Sequence, residues 1–560
     1  MRTLLLKRLL FSNTSEPIDF YKPAKYPLFR TKGKVGAAAF SDIPYKLSCM
    51  QAANIFPDLS RRGSGVLLHV TSLPGRYGIG DLGPAAHQWI DMLAGAGQRW
   101  WQMLPLGPIS ESTSPYQCLS SFAGNPLLIS PDQLVEDGLL EKSDVRGFSL
   151  PPAKVDYPRV SRNKWAMLKI AFERFQDRQR AHRYTRHFRQ FVTRESAWLE
   201  DFSLFMALRE AYPFAPWSQW PRGVLCRDPS ALRDARAQLA EAIGLQAFAQ
   251  FIFFRQLESL RTHARKAGVA LIGDLPIFVS PESADVWTNP KLFQLDRRLQ
   301  PRAVAGVPPD EFSPTGQLWG NPLYNWKEMA KNGFAWWKAR LGAALRQADF
   351  VRIDHFRGLD SYWSIPTPCA TAEVGRWVAA PGAKLLGALT AGNKSLPLLA
   401  EDLGLITPEI EQLRDDFKLP GMRILQFGFP PGLGNPHVPH NYIPHCFAYT
   451  GTHDNDTSAG WYHRLPAAAK RRIAEYAPDP LWKTAPAWAM IRVLWASTAG
   501  QTIVPLQDLL NLGSGDRMNT PGVHVNNWQW RCRDFAQCRE PMAKLSRLTD
   551  LYERRACAIG

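Results

Sequence analysis

Cysteine is scarce in this 560-residue chain: eight residues, at 49, 118, 226, 369, 446, 532, 538 and 557, with no CxxC pair among them. That scatter excludes a zinc ribbon and a disulfide framework and points to a reducing compartment. No run of about eighteen apolar residues occurs, so no segment reads as a membrane span. A Gly-rich phosphate loop, a zincin helix and a serine-nucleophile elbow are all missing, which removes the usual motifs of nucleotide, metalloprotease and esterase chemistry. Internal repeats and low-complexity tracts are absent as well. Acids are outnumbered, 50 against 67 bases, for a formal charge of +17. Such an excess raises the question of an anionic partner.

The densest basic stretch, "RFQDRQRAHRYTRHFRQF" at 174–191, sets Phe188 and Phe191 three apart with Trp198 beyond. That is the pattern of an amphipathic helix with a solvated basic face, and no nucleic-acid module accompanies it. The first fifty residues are basic and poor in acids, and Lys7 and Arg8 break their apolar run. They read as an extension (1–60) outside the fold: a transit-like segment, which would place the protein in a plastid, or a start assigned too early, which would leave it cytoplasmic.

What is abundant is aromatic: 20 Trp, 15 Tyr and 29 Phe. Rings stack on sugars and bases but more often fill cores, and most of these are expected in the core. From about 62 the texture is α/β. "SGVLLHVTSLPG" reads as a strand, "PAAHQWIDMLAGAG" as a helix and "QRWWQMLPLGP" as a second strand. A helix and then an apolar strand carrying Asp274 are read at 254–280, and further apolar strands at 348–358, 394–404, 422–429 and 446–456, each running into polar residues. Strands alternating with helices predict a (β/α)8 barrel, whose functional groups stand at the C-terminal ends of its strands. The expectation is one catalytic barrel over 61–560, with a helical insertion at about 130–235 and an irregular, loop-rich one at 284–332, both around the mouth.

Three strand ends carry carboxylates. In "ADFVRIDHFRG", Arg352 and Asp354 point the same way because side chains alternate along a strand. A cation so close lowers a carboxylate's pKa, which would keep Asp354 ionised as a nucleophile must be. "LLAEDLG" offers Glu401 bordered by apolar residues, a setting that raises a pKa and suits a proton donor. "TGTHDND" offers Asp454 beside His453. A single strand-end acid is usually a loop cap, and a single histidine is usually structural. The joint occurrence resembles the two-carboxylate plan for glycosidic bond cleavage, with one acid more. "PHVPHNYIPH" (His437, His440, His445) is interleaved with prolines and a tyrosine, so no metal or other cofactor is expected.

The stretches "IGDLPIFV", "VRIDHFRG", "LLAEDLG" and "GTHDND" resemble the short motifs of the α-amylase clan. "SPYQCLSSFAGNP", "AGVPPDEFSPTGQLWGNPLYNW", "LPGMRILQFGF" and "LGSGDRMNTPG" with "NNWQWR" narrow the resemblance to the 4-α-glucanotransferase family, the amylomaltases, from about Gly63 to about Trp530. The resemblance implies Asp354 as nucleophile, Glu401 as general acid/base and Asp454 as the acid that grips the sugar. It implies Arg352 orienting Asp354, His453 on the same sugar and Asp274 near the donor sugar. Asp310 would lie in a flap on the acceptor side, Tyr116 in a loop lining the cleft, and Trp319 and Asn325 would be further contacts. No C-terminal β-sandwich is expected. Expected substrates are maltooligosaccharides and other α-1,4-glucans, with glucose as an acceptor, handled by a monomer or weak homo-oligomer without nucleic acid or membrane. The rivals are a retaining α-glucan hydrolase with the same carboxylates, a glucan-binding protein without turnover, and a basic nucleic-acid binder.

Overall fold

Eight short strands, all parallel, close on themselves. They are β1 (Gly63–Leu67), β2 (Trp100–Gln102), β3 (Ala270–Leu275), β6 (Phe350–Ile353), β9 (Leu398–Ala400), β10 (Gly421–Ile424), β11 (Cys446–Tyr449) and β12 (Gln501–Pro505). Each pairs with the next, except that β9 and β10 share no ladder, and β12 returns to β1. The amide of Ala400 donates to the carbonyl of Pro420 at 2.9 Å, joining β9 to the entry of β10. This is a (β/α)8 barrel. The computed structural model describes residues 58–152, 154–177, 183–310, 313–390, 396–430, 434–523 and 525–556; the expectation for the first fifty lies outside them.

Strand alternation fills the barrel in layers. The inward residues Trp100, Phe350 and Phe447 meet with ring centroids 5.5–5.9 Å apart, and the Trp100 indole donates to Gln501 Oε1 at 2.8 Å. Two residues further along the same strands stand Gln102, Arg352 and Tyr449. There the Tyr449 hydroxyl donates to Gln102 at 2.8 Å. The inner face of β6 therefore reads Phe350, Arg352, Asp354: apolar floor, cationic layer, carboxylate at the rim. Its outward Val351 and Ile353 are buried against the surrounding shell. Gly65 is required where β1 meets β2, because a Cβ there would lie 2.3 Å from that of Trp100.

The expected aromatic core is present: Trp89, Trp100, Trp101, Trp287, Trp336, Trp337 and Trp495 are fully buried. Between β2 and β3 the chain is mainly helical, and the 27-residue helix Ala240–Lys266 is its spine. Phe188 and Phe191 pack on Phe251 at 5.6 and 5.8 Å, so one face of the basic stretch is core. No single helix among the described residues is long and apolar enough to cross a membrane.

Two expectations need correction. The reading of seven strands missed β12, "QTIVP", which is short and lacks a carboxylate at its end. The stretch 284–332 is not irregular throughout. It holds β4 (Ala303–Val307) and β5 (Gln317–Pro322), which join β7 (Ser361–Pro366) and β8 (Arg376–Ala379) in an antiparallel sheet ordered β5-β4-β7-β8. Its glycines and prolines hid the pattern, since β4 and β5 pair across a register shift. No strand follows β12 among the described residues. Replacing Trp100 by Ala should cost about 3–5 kcal/mol, read as a lowered midpoint in denaturant titration. An unchanged midpoint would mean that this ring does not carry the barrel's floor.

Candidate active site

The ladder of the barrel runs on past the strand ends into two acids. The amide of Asp354 donates to Leu275 O at 3.0 Å, and that of Glu401 donates to Ile353 O at 3.1 Å. Between them His355 takes a left-handed backbone (φ 52°), uncommon for a residue with a side chain. That turn directs the His355 amide at Glu401, whose Oε2 accepts from it at 2.5 Å. Local strain at the residue after Asp354 thus fixes the carboxyl of Glu401, a pattern found where position matters more than stability.

Arg352 binds two acids at once. Its Nη1 donates to both oxygens of Asp274, at 2.9 and 2.7 Å, and its Nη2 lies 2.9 Å from Oδ1 of Asp354. Asp274 also accepts from the Tyr116 hydroxyl at 2.6 Å. The Asp274 side chain is wholly covered, whereas that of Asp354 keeps 27% of its surface open. Asp274 accordingly faces Arg352 and Tyr116, and Asp354 faces the cleft. The Tyr116 ring stacks on His453, with centroids 5.3 Å apart and planes 12° apart, and both rings meet Trp528 at 5.8–5.9 Å. Asp454 is 3.2 Å from His453 Nε2, accepts from Asn519 Nδ2 at 2.6 Å, and is 40% exposed.

Neighbouring acids are fixed elsewhere. Asp402 is locked by Arg414 at 2.5 Å, Arg423 at 3.3 Å and the Met422 amide at 2.6 Å. Asp456 accepts from Ser514 at 2.7 Å and pairs with Arg464. In both "EDLG" and "HDND" one acid serves the cleft side and the other holds the loop.

Burial raises Asp354 to about 6. Arg352 opposes that rise, while Asp274 and Asp454 add to it. This corrects the expectation that the arginine would hold Asp354 below the ordinary range: Arg352 divides its charge with Asp274, and desolvation outweighs what is left. Glu401 is raised well above its usual value, first by burial and then by Asp354, against the pull of Arg352. Asp454 goes the other way. Burial would raise it, but His453 and the bond from Asn519 together hold it well below the carboxylate range. Burial, helped by Arg357, lowers His355 to about 3, so its imidazole is neutral.

Of the remaining expected contacts, Trp319 sets its ring edge-on to His355 at 4.8 Å. Asp310 shapes the turn between β4 and β5 by accepting from the Ser313 amide at 2.7 Å. Asn325 caps the short helix Trp326–Ala330, and its Nδ2 donates to Lys291 O at 3.2 Å. The three histidines of "PHVPHNYIPH" take separate partners: Ile424 N, Tyr476 Oη and Lys418 O. Among the described residues no cluster of His, Cys, Asp and Glu could hold a metal ion. Sequence reasoning gave no role to His355, Asn519 or Trp528. His355 sat in plain view beside Asp354, and the other two lie in the "LGSGDRMNTPG" and "NNWQWR" motifs.

A family model described as 4-alpha-glucanotransferase, glycoside hydrolase family 77, matches residues 68–537. A 4-alpha-glucanotransferase of Thermus thermophilus is 46% identical over 88% of this chain and 99% of its own. The chloroplastic/amyloplastic 4-alpha-glucanotransferase of Solanum tuberosum is 40% identical over 88% of this chain and 86% of its own. An amylomaltase from Streptococcus agalactiae, solved with acarbose, superposes with TM-score 0.84 at 38% identity, covering 88% of this chain and all of that one.

The two raised carboxyls give an expected pH profile for kcat/KM, which reports the free enzyme. With Asp354 expected to react as an anion, activity should fall as pH drops through about 6. With Glu401 expected to act from its protonated form, activity should fall again as pH rises past that group's raised value. Replacing Arg352 by Gln should move the acid limb to higher pH, because the cation that opposes protonation of Asp354 is gone. An acid limb that stays in place would remove Arg352 from this role.

Proposed function

The chain belongs to glycoside hydrolase family 77, the 4-alpha-glucanotransferases, and from that premise we propose how its residues divide the reaction. The enzyme moves a segment of α-1,4-glucan from donor to acceptor with retention of configuration. Asp354 attacks the anomeric carbon while Glu401 delivers its proton to the departing O4, breaking the glycosidic bond. The product is a β-linked ester on Asp354 and a freed sugar hydroxyl. Glu401, now ionised, then takes the proton from the 4-hydroxyl of the incoming sugar. That oxygen displaces Asp354 and the α bond is remade. One glycosidic bond is broken for each one formed, so an activated sugar is not required.

The observation that carries this reading is the splitting of three strand-end carboxylates into different protonation states. Glu401 is raised so that it can hold a proton, and Asp454 is kept anionic by His453 and Asn519. Groups driven apart in this way by their surroundings are natural candidates for acid and base roles. Asp354, raised to about 6, is still mainly ionised at neutral pH. We assign Asp454 and His453 to the hydroxyls of the reacting sugar, and Tyr116 and Asp274 to holding His453 and Arg352 in place. Trp319 lines the acceptor side, which the turn carrying Asp310 covers. Substrates are maltooligosaccharides and longer α-1,4-glucans, with glucose among the acceptors. We place the enzyme in the cytoplasm, or in a plastid if the first residues are a transit segment.

Incubation with maltotriose tests this directly. Transfer gives glucose and a ladder of longer maltooligosaccharides at a constant number of reducing ends. Rising reducing ends with only shorter products would mean that water takes the glycosyl group, overturning the transferase reading. Asp354→Asn should lower kcat by at least about 10³-fold, since the covalent step is lost. A variant that kept a tenth of the activity would exclude Asp354 as nucleophile.

A further inference from the structure

The antiparallel sheet beside the barrel mouth ends on an edge strand, β8, that leaves one tryptophan open. Trp377 is 39% exposed. In the cross-strand register it stands opposite Trp363, itself opposite Gly306 on β4. The two indoles meet edge to face at 5.3 Å, and the Trp363 indole donates to Ala372 O at 2.9 Å, so Trp363 is tied into the loop that covers the sheet. Arg357 lies against Trp377, its guanidinium carbon 3.8 Å from the ring centroid, while its Nη1 donates to Leu405 O at 2.5 Å. Leu405 is 66% exposed. Arg357 is three residues past Asp354 and Leu405 is four past Glu401. One buried arginine therefore braces an open indole and an open leucine at the rim, next to the loops that hold both acids.

We propose that Trp377 and Leu405 form a further glucan-binding subsite on the rim, taking a sugar of the α-1,4-glucan beyond those held by the carboxylates. This rests on the functional reading above, and the position follows from it: Glu401 serves the departing and arriving oxygen, so the loop leading from it to Leu405 borders the acceptor side. An indole fixed by a cation and a second ring is a rigid, amphipathic platform that loses little entropy when a ring stacks on it. Even with Val374, exposed just before β8, these few apolar side chains fall short of a protein interface, which needs about 800 Å² per partner. They suit the apolar face of a sugar. Continuity with the cleft points the same way, since Trp319 on β5 of the same sheet meets His355 inside it.

The test is chain-length selectivity, read as kcat/KM for maltoheptaose divided by that for maltotriose, from substrate consumption by the purified full-length enzyme. Trp377→Ala should lower this ratio roughly five-fold, the equivalent of one stacked ring. Trp377→Tyr, which keeps a ring, should stay within about two-fold of the parent. Leu551→Ala, at an exposed apolar residue on the last helix, should leave the ratio unchanged. An unchanged ratio in Trp377→Ala overturns the subsite. So does a fall in Trp377→Tyr as large as in Trp377→Ala, or an equal fall in Leu551→Ala. Substrate consumption counts hydrolysis and transfer alike. A missing ladder with a changed ratio would therefore defeat only the transferase reading, and a normal ladder with an unchanged ratio only the subsite.

Discussion

A single guanidinium divided between two carboxylates is the interaction on which the barrel mouth depends. Arg352 is almost fully enclosed, and burying a cation costs several kcal/mol unless partners compensate it. Asp274 compensates it with both oxygens and is in turn bonded to Tyr116, whose ring rests on His453. The chain from β6 through β3 to the loop after β11 is thus one hydrogen-bonded and stacked unit. Removing Arg352 or Asp274 would leave a buried charge without its partner, the expensive case. Arg is suited to this place and Lys is not, because only a planar fork can engage two acids in fixed directions at once.

That unit sets the charge around the reacting carboxylates without setting it alone. Arg352 cannot keep Asp354 at an ordinary carboxylate value because Asp274 takes part of its field. Desolvation then decides in favour of raised pKa values for both Asp354 and Glu401. Asp454 escapes the trend only through its own partners, His453 and Asn519. The barrel therefore does not supply three equivalent acids. It supplies three surroundings, and the division of labour follows from which neighbours each strand end brings.

Much of this was legible in the sequence for a physical reason. The period-two alternation of "ADFVRIDHFRG" puts Phe350, Arg352 and Asp354 on one face, and strands that end in polar residues are what a barrel mouth requires. The order of protonation was only half legible. The apolar setting of Glu401 is local and can be read, whereas Asp274 competing for Arg352 is a contact between residues 78 apart in the chain. Asp454 was named from the sequence, but what parts it from Asp456, two residues on, is not local. Only the loop after β11 sends one to Asn519 and the other to Ser514 and Arg464. β12 was missed because nothing chemical marks it, and β4 and β5 because glycines and a shifted register blur alternation.

A transferase must also let sugar, rather than water, reach its glycosyl-enzyme intermediate, which we have proposed to be an ester on Asp354. The carboxylates cannot make that distinction, since either nucleophile needs the same base. The difference has to come from binding: an acceptor held along several sugars pays its loss of freedom through contacts away from the reacting carbon, and water has no such contacts. Aromatic surfaces next to the acid/base loop are where those contacts can be made without touching the chemistry. Trp319, edge-on to His355, is one proposed surface, and the braced indole of Trp377 on the opposite edge of the same sheet is another. On this view the antiparallel sheet inserted beside the barrel is what biases the shared carboxylate chemistry towards transfer.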